Sequence, residues 1–522
     1  MEIHLPGLNK PRQKELLILI LCLLIGFALR YYTFDQKSLW EDEIHTFNDS
    51  RDGLKGQLKF YKENPTYLHP PLFFVLTHLF YPFPHPERDL RIIPLIFGTL
   101  SIPMIYLLAR SFSPPIALPC TLSLTFMAYH ISLSQDGRSY SLIMFLGMVG
   151  FYFLLKHLET QKRSYLLGVA LSYAILLHTS YSSISFITLS QLLWFYRPSE
   201  DRKRPRLSSF LILNSTLFLL SLPWILFVAL NYKGQTSMPF FQARVPVSFW
   251  SIFYGIFHDW VPHAPLMVAS IVLFLLFPLL SKSKCNTLVL LSVFFFPIVG
   301  LYLFCKLFDV GHFVSSRYFV NFLPLFFVCL YLSIRLTEDK LQRLKRFVRL
   351  DLLFIILFIG SNLLILPLYY RSEKQDLRGL ATYLKTHLKE GDKIFDAETA
   401  CTAGILHYFG IYPEGRHYLI PLSKISEKET EFRIPFVYRN RVFTIYYSEN
   451  CCDRYIANGN RLWIVAGKWS VKKFKKDFPC VLKGYFDGSF LNFSRFPEDA
   501  SIYLFLLDPR SPEEKGIDLP IE

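Results

Sequence analysis

Eleven mostly apolar stretches divide the chain, at about 15–34, 91–110, 115–133, 139–156, 164–180, 182–196, 208–230, 264–281, 286–305, 318–335 and 351–370. A helix needs about 20 such residues to cross hydrocarbon. The pattern predicts an α-helical polytopic membrane protein with about 11 transmembrane helices, some of them closely adjoining pairs or interrupted by proline. No small-residue cleavage site follows the first stretch, so it reads as an uncleaved anchor.

The polar segments between these stretches alternate in charge. One set carries Lys10, Arg12 and Lys14; Arg110; Lys156, Lys162 and Arg163; Arg197, Arg202, Lys203, Arg204 and Arg206; Lys282 and Lys284; and the bases from Arg335 to Arg349. Lys and Arg in short loops mark the cytoplasmic side, so the N-terminus is predicted to be cytoplasmic. The other set holds the long 35–90 segment, residues 135–139, the 231–263 loop and residues 306–317. An odd number of spans then carries residues 371–522 to the far side.

Beyond residue 370 the pattern changes. Leu377, Ala381, Leu384 and Leu388 fall on one face of an amphipathic helix. Gly391 is placed to cap it, and strand-like runs recur at Lys393–Asp396, Val442–Tyr447, Leu462–Val465 and Ile502–Leu507. The expected organisation is a transmembrane domain over 1–370, with 35–90 as its first outer loop, and an extracytoplasmic α/β domain over 371–522. Cys401, Cys451, Cys452 and Cys480 lie in that tail, where a disulfide is an open alternative.

Composition narrows the class. The 522 residues are 52% hydrophobic and only 19% charged, which excludes disorder over most of the length. Aromatics make up 17%, with 51 Phe and 30 Tyr, an excess expected at lipid-facing and interfacial positions. The net charge of +15 lies between apolar runs, so it reads as an orientation signal and not as a nucleic-acid surface.

Candidate chemistry gathers on the less basic side. Trp40 is followed by Glu41, Asp42 and Glu43, just past the first span. Such a run is ordinarily a solvated turn behind an aromatic anchor; a partly desolvated carboxylate there is also a fit general base or a ligand for a divalent metal. Residues 48–61 read as a surface helix turning Leu54, Leu58 and Tyr61 to lipid, ended by Asn64-Pro65. His69-Pro70-Pro71-Leu72 is either a proline-stiffened helix entry or a histidine held beside a substrate. Arg30, Arg91, Arg138 and Arg317 stand at span ends, where charge is costly and is paired or functional; structural pairing would fall to Asp35, Asp89 or Asp136. A guanidinium fork suits phosphate.

The order Arg30, Leu39-Trp40-Glu41-Asp42-Glu43, His69-Pro70-Pro71-Leu72, Arg91 to Gly98, Arg138-Ser139-Tyr140-Ser141-Leu142 and Arg317-Tyr318 resembles the membrane glycosyltransferases of the C-type fold. Within them it is similar to the bacterial relatives of dolichyl-phosphate-mannose–protein mannosyltransferase and of lipid A aminoarabinose transferase, the Rgt-like group. The resemblance implies an inverting transfer of one sugar from a polyprenyl phosphate to a hydroxyl of a lipid, glycan or protein, at the periplasmic face of a bacterial inner membrane. It places the motif acid on Asp42 with Glu43 beside it. His69, Arg91, Arg138, Tyr140 and Arg317 would bind the donor phosphate or substrate, His69 standing where aminoarabinose transferases carry a lysine. The resemblance fixes no cofactor, and a divalent metal is left open. A transporter or flippase of a lipid-linked glycan, a lipid-linked glycan ligase and an inactive binding subunit are the competing readings; transporters place ionisable groups near mid-membrane, whereas these lie at span ends.

Overall fold

The computed structural model describes residues 13–63, 69–196, 206–231, 249–307, 316–340, 349–397, 400–412, 431–448, 461–477, 480–489, 500–510 and 516–517. Two compact units account for the chain. One comprises Met1–Asp35, Leu68–Tyr232 and Pro239–Leu368; the other comprises Gln36–Tyr67, Lys233–Met238 and Tyr369–Glu522. The sequence reading kept 35–90 together in the membrane domain. Residues 36–67 instead group with the tail.

In the first unit each of the eleven apolar stretches carries helix. Among the described residues six helices are long and apolar enough to cross a membrane, and up to eight if two bent pairs each count as one span. This is the architecture of an integral membrane protein. The remaining three apolar stretches are helical but outside that count: the Gln13–Tyr31 helix carries Lys14, Glu15 and Arg30, and Arg163–Leu177 and Ser183–Phe195 are shorter. Burial orders the bundle: 89% of the apolar window in Ser316–Lys340 and 78% of that in Tyr140–Thr160 is covered, against 17% in Leu207–Asn231. The first two helices are its centre and the last is peripheral.

The aromatic excess is not only a lipid-facing feature. Phe257, Trp260, Phe274, Phe294 and Phe326 are all buried, with ring centroids of Phe274 and Phe294 4.8 Å apart and of Trp260 and Phe326 5.4 Å apart. Rings in offset and edge contact pack a core in which lipid supplies no hydrophobic drive between helices. Small residues admit the closest approaches. A Cβ on Gly98 would lie 2.1 Å from Ser134 Oγ, and one on Gly147 2.4 Å from Asn321 Oδ1.

One span is broken. Helices Pro114–Phe126 and Ala128–Ser134 meet at 62°, and backbone groups freed at such a break need substitutes away from water. Buried Arg30 supplies them, donating to Leu124 O at 2.9 Å, Thr125 O at 3.2 Å and Gly26 O at 2.9 Å, with His130 Nδ1 at 2.7 Å. Across the break, the Ala128 amide donates to Asn362 Oδ1 at 2.8 Å. Arg30 is thus occupied in holding the kink.

The second unit is built on a six-stranded mixed sheet, β1 (Lys393–Asp396), β2 (Glu431–Tyr438), β3 (Arg441–Ser448), β4 (Leu462–Gly467), β5 (Val481–Phe486) and β6 (Ile502–Leu507), in the order β2-β3-β1-β4-β6-β5. Central β1 runs parallel to β3 and β4; the remaining pairs are antiparallel. Both faces of β6 are buried, as near-continuous apolar runs require. Val471 and Phe474 of the Lys468–Asp477 helix complete one core with Phe395, Ile464 and Phe505. β2 and β3 form a hairpin through Arg439 and Asn440, at φ 49° and 61°, the left-handed pair that a two-residue turn between twisted strands demands.

The amphipathic helix of the tail is Leu377–His387. It ends before Gly391, whose φ of 85° turns the chain into β1 and does not cap the helix. Strands β2 and β5 were not foreseen. Cys401 is buried and Cys480 half-buried, with the Cys480 thiol donating to Phe474 O at 3.3 Å; Cys451 and Cys452 lie outside the described residues.

Candidate functional site

The acidic run opens a helix, Glu41–Ser50, and lies in the second unit. Trp40 is extended at φ −92° and ψ 172°, which turns the chain from the preceding segment into the helix. Glu43, at the third helical position, reaches back so that its Oε2 accepts the Trp40 amide at 3.4 Å. This is one half of a capping box, and it leaves Glu43 fully buried. Asp42, one residue earlier, is half-buried, and its carbonyl accepts the Thr46 hydroxyl at 3.1 Å. Three carboxylates in a helical first turn suit the positive end of the helix dipole. His45 Nε2 lies 3.9 Å from Glu41 Oε1. Burial disfavours its charge, but Glu41, Asp49 and Asp42 outweigh that and hold its pKa above the usual value. The stabilisation from charged His45 is therefore lost as pH rises through that raised value.

The start of this segment is tied down by side chains from the tail, within the same unit. The Ser38 amide donates to Glu373 Oε2 at 2.9 Å, the Leu39 amide to the Tyr408 hydroxyl at 2.7 Å and the Glu41 amide to Gln375 Oε1 at 3.1 Å. Lys37 donates to the carbonyls of Tyr369 and Ser372, and Lys374 Nζ sits 5.8 Å from the Trp40 ring centroid. Further along, Phe47 meets His407 edge-on at 4.7 Å. Nothing in the periodicity of residues 373–375 or around Tyr408 announces this role; the only signal is the density of polar side chains directly after the last apolar stretch. Tyr408→Phe should cost the Leu39 amide its acceptor, about 1–3 kcal/mol of local protection. The expected result is roughly 5- to 150-fold faster amide exchange over residues 36–43, read by hydrogen–deuterium exchange; unchanged exchange would make Tyr408 incidental.

The foreseen helix over 48–61 is parts of two helices: the first ends at Ser50, Arg51 and Asp52 turn, and Gly53 at φ 72° opens the second. Leu54 and Leu58 are exposed as expected, but Tyr61 is fully buried and accepts from Gln57 Nε2 at 3.0 Å. Asn64-Pro65 lies outside the described residues.

The basic residues belong to the first unit, and its internal contacts bring Arg91, Arg138 and Arg317 to one end of the bundle. Buried Arg91 precedes the Ile92–Phe112 helix and donates to Phe34 O at 3.0 Å. Gln135 Nε2 donates to Arg30 O at 2.8 Å and Tyr32 O at 2.6 Å, so the turn carrying Asp136, Gly137 and Arg138 shares that end. Arg138 is half-buried and Tyr140, first in its helix, is buried. Arg317, in the 3-10 turn Ser316–Phe322, stacks on the Tyr140 ring with its Cζ 5.4 Å from the centroid. Asp89 pairs with Arg88 at 2.9 Å. His69 is exposed, its ring 6.1 Å from that of Phe74, while the Leu72 amide donates to His178 O at 2.9 Å. Tyr140 and Arg317 are thus in direct contact, and Arg138 stands two residues from Tyr140.

One carboxylate of this unit was not singled out. Asp259 is the only acid in the 231–263 loop, which was its one available signal. It is fully buried and accepts the Ser316 hydroxyl on Oδ2. No group of three or more His, Cys, Asp or Glu side chains suited to a metal ion occurs among the described residues.

No protein-family model matches the chain, and no curated protein matches it. Among solved structures it is similar to ArnT from Cupriavidus metallidurans in the apo state, with TM-score 0.49 and 10% identity, covering 94% of this chain and 97% of that one. Against ArnT bound to undecaprenyl phosphate the TM-score is 0.47 and the identity 11%, with the same coverage of 94% and 97%. It is also similar to the archaeal oligosaccharyltransferase AglB from Archaeoglobus fulgidus in complex with an inhibitory peptide and a dolichol-phosphate, at TM-score 0.43 and 11% identity over 76% of this chain and 63% of that one.

Proposed function

We propose that the chain is an inverting glycosyltransferase, moving a single sugar from a polyprenyl-phosphate donor to an acceptor hydroxyl on the extracytoplasmic face of a bacterial inner membrane. The observation that carries this reading is the division of labour on the first turn of the Glu41–Ser50 helix. Glu43 is buried and committed to its own helix end, while Asp42 stands half-buried beside it, at the position of the motif acid.

In this reading Asp42 takes the proton of the acceptor hydroxyl. The oxygen attacks the anomeric carbon from the side opposite the phosphate, so configuration inverts. The carbon–oxygen bond to phosphate breaks with its electron pair going to the phosphate, and the products are the glycoside and the polyprenyl phosphate. Arg138, Arg317 and Arg91, with His69, would neutralise the charge that grows on the departing group, and Tyr140 would hold Arg317 by its ring. Nucleotide sugars do not cross the bilayer, so a sugar used on the far side arrives on a lipid.

The test is incubation of the purified, vesicle-reconstituted chain with radiolabelled polyprenyl-phosphate sugars and membrane extracts as acceptor. Label transferred to an acceptor supports the reading; uptake of intact donor without transfer would replace it with transport. Impermeant labelling of cysteines engineered into the tail of intact cells tests the side of the membrane, and protection of the tail would overturn the orientation.

A further inference from the structure

Three elements of the first unit meet around Asp259. It lies in the last turn of the Phe249–Trp260 helix, Ser316 opens the 3-10 turn that carries Arg317, and Tyr129 comes from the short second half of the broken span. All three are buried, Asp259 and its helix-mate Trp260 completely so. The Tyr129 hydroxyl and Ser316 Oγ are 2.8 Å apart, and Ser316 bonds to Asp259 Oδ2. A carboxylate only accepts, and serine has one proton to give. Ser316 therefore donates to Asp259, and Tyr129 donates to Ser316, so the chain of hydroxyls has a fixed direction.

The second carboxylate oxygen is less well served. Asp259 Oδ1 lies 3.6 Å from His258 Nδ1 and is without a hydrogen-bond partner among the described residues. Keeping a buried carboxylate in this condition is costly, and an apolar residue or an asparagine would cost less if only packing were at stake. What the carboxylate adds is charge. Its field acts on Arg317, the residue after Ser316, whose guanidinium lies over Tyr140. The hydroxyl chain fixes where the turn begins, and the charge behind it favours one placement of the guanidinium.

We infer that Asp259 is a positioning residue for Arg317, acting through Ser316 and Tyr129 to hold that guanidinium ready for the phosphate of a polyprenyl-phosphate ligand. This rests on the glycosyl-transfer reading of the site. Holding a flexible cation in place beforehand lowers the entropy lost on binding, so the effect belongs in donor affinity.

The experiment is a double-mutant cycle in the full-length, vesicle-reconstituted chain, with Asp259→Asn, Arg317→Ala and the double variant. Donor KM, acceptor KM and kcat are read, together with the thermal shift that undecaprenyl phosphate alone produces. Asp259→Asn should raise donor KM about tenfold or more, the scale of a lost interaction with a charged group, and leave acceptor KM unchanged. In the Arg317→Ala background the same change should add nothing, because two residues acting as one unit are not additive. Additive losses, or equal losses in donor and acceptor KM, would make Asp259 a structural residue and overturn the inference. If Asp259→Asn does not fold, Ser316→Ala and Tyr129→Phe cut the same chain more gently, and the cycle is read on them. Sugar transfer by the wild-type protein together with additive losses in the variants defeats this inference alone. Wild-type protein that neither transfers sugar nor is stabilised by undecaprenyl phosphate defeats the functional reading and this inference with it.

Discussion

Asp42→Asn is expected to lower the rate of sugar transfer by about 10²- to 10⁴-fold, the contribution typical of a general base, at unchanged protein level. The amide keeps the shape of the carboxylate and removes its charge and its capacity to take a proton. Glu43→Gln should behave differently. Its carboxylate is buried against its own helix end and accepts the Trp40 amide, and a glutamine oxygen can still accept that bond. The expected loss is smaller and should appear as lowered thermal stability before lowered rate. Single-turnover assays on Glu41→Gln, Asp42→Asn and Glu43→Gln separate the three. Near-normal rates in Asp42→Asn would remove the base from Asp42, and equal rates in all three would return the run to a solvated turn behind Trp40.

The second large effect is expected at Arg138. Removing one donor that stabilises developing negative charge costs about 10²- to 10³-fold in rate, and Arg138→Ala should fall in that range. Arg138→Lys should recover only part of it, because an ammonium is a point charge without the planar two-donor fork that fits phosphate. Its surroundings support a placed side chain: Asp136 is buried just before it, and Tyr140, two residues on, carries Arg317 against its ring. Rates measured at saturating and at limiting donor distinguish lost binding from lost stabilisation of the departing phosphate. Wild-type kinetics in Arg138→Ala, at equal protein level, would assign the residue to structure.

The helices were legible because their signal is long and local. Twenty apolar residues in a row have few other solutions, and every such stretch carries helix. The break near Met127 was not legible, because its remedy comes from far away in sequence: Arg30 is 94 residues from Leu124, and Asn362 is 234 residues from Ala128. In the tail, β1, β3, β4 and β6 stood out as short β-rich runs. β2 contains Pro435 and β5 is interrupted by an irregularity between Leu482 and Gly484, and both features blur a strand signal. The acids and arginines of the candidate site were visible as charges at the margins of apolar runs. Asp259, Ser316 and Tyr129 were not, since each is unremarkable alone and only the packing of three separate helices brings them together. Glu373, Gln375 and Tyr408 were hidden for the same reason.

Those last three residues set an order of events in the making of the protein. Ser38, Leu39 and Glu41 leave the ribosome early, whereas the acceptors for their amides lie 335, 369 and 334 residues further on. At roughly 5–20 residues per second, the acidic helix exists for something on the order of 20–70 seconds before Tyr408 and its neighbours are made. Throughout that interval the first loop has water in place of its eventual supports. The acids therefore acquire their final geometry only when the segment carrying Glu373, Gln375 and Tyr408 has been synthesised and folded, and a chain terminated before it would carry the acidic helix without these supports.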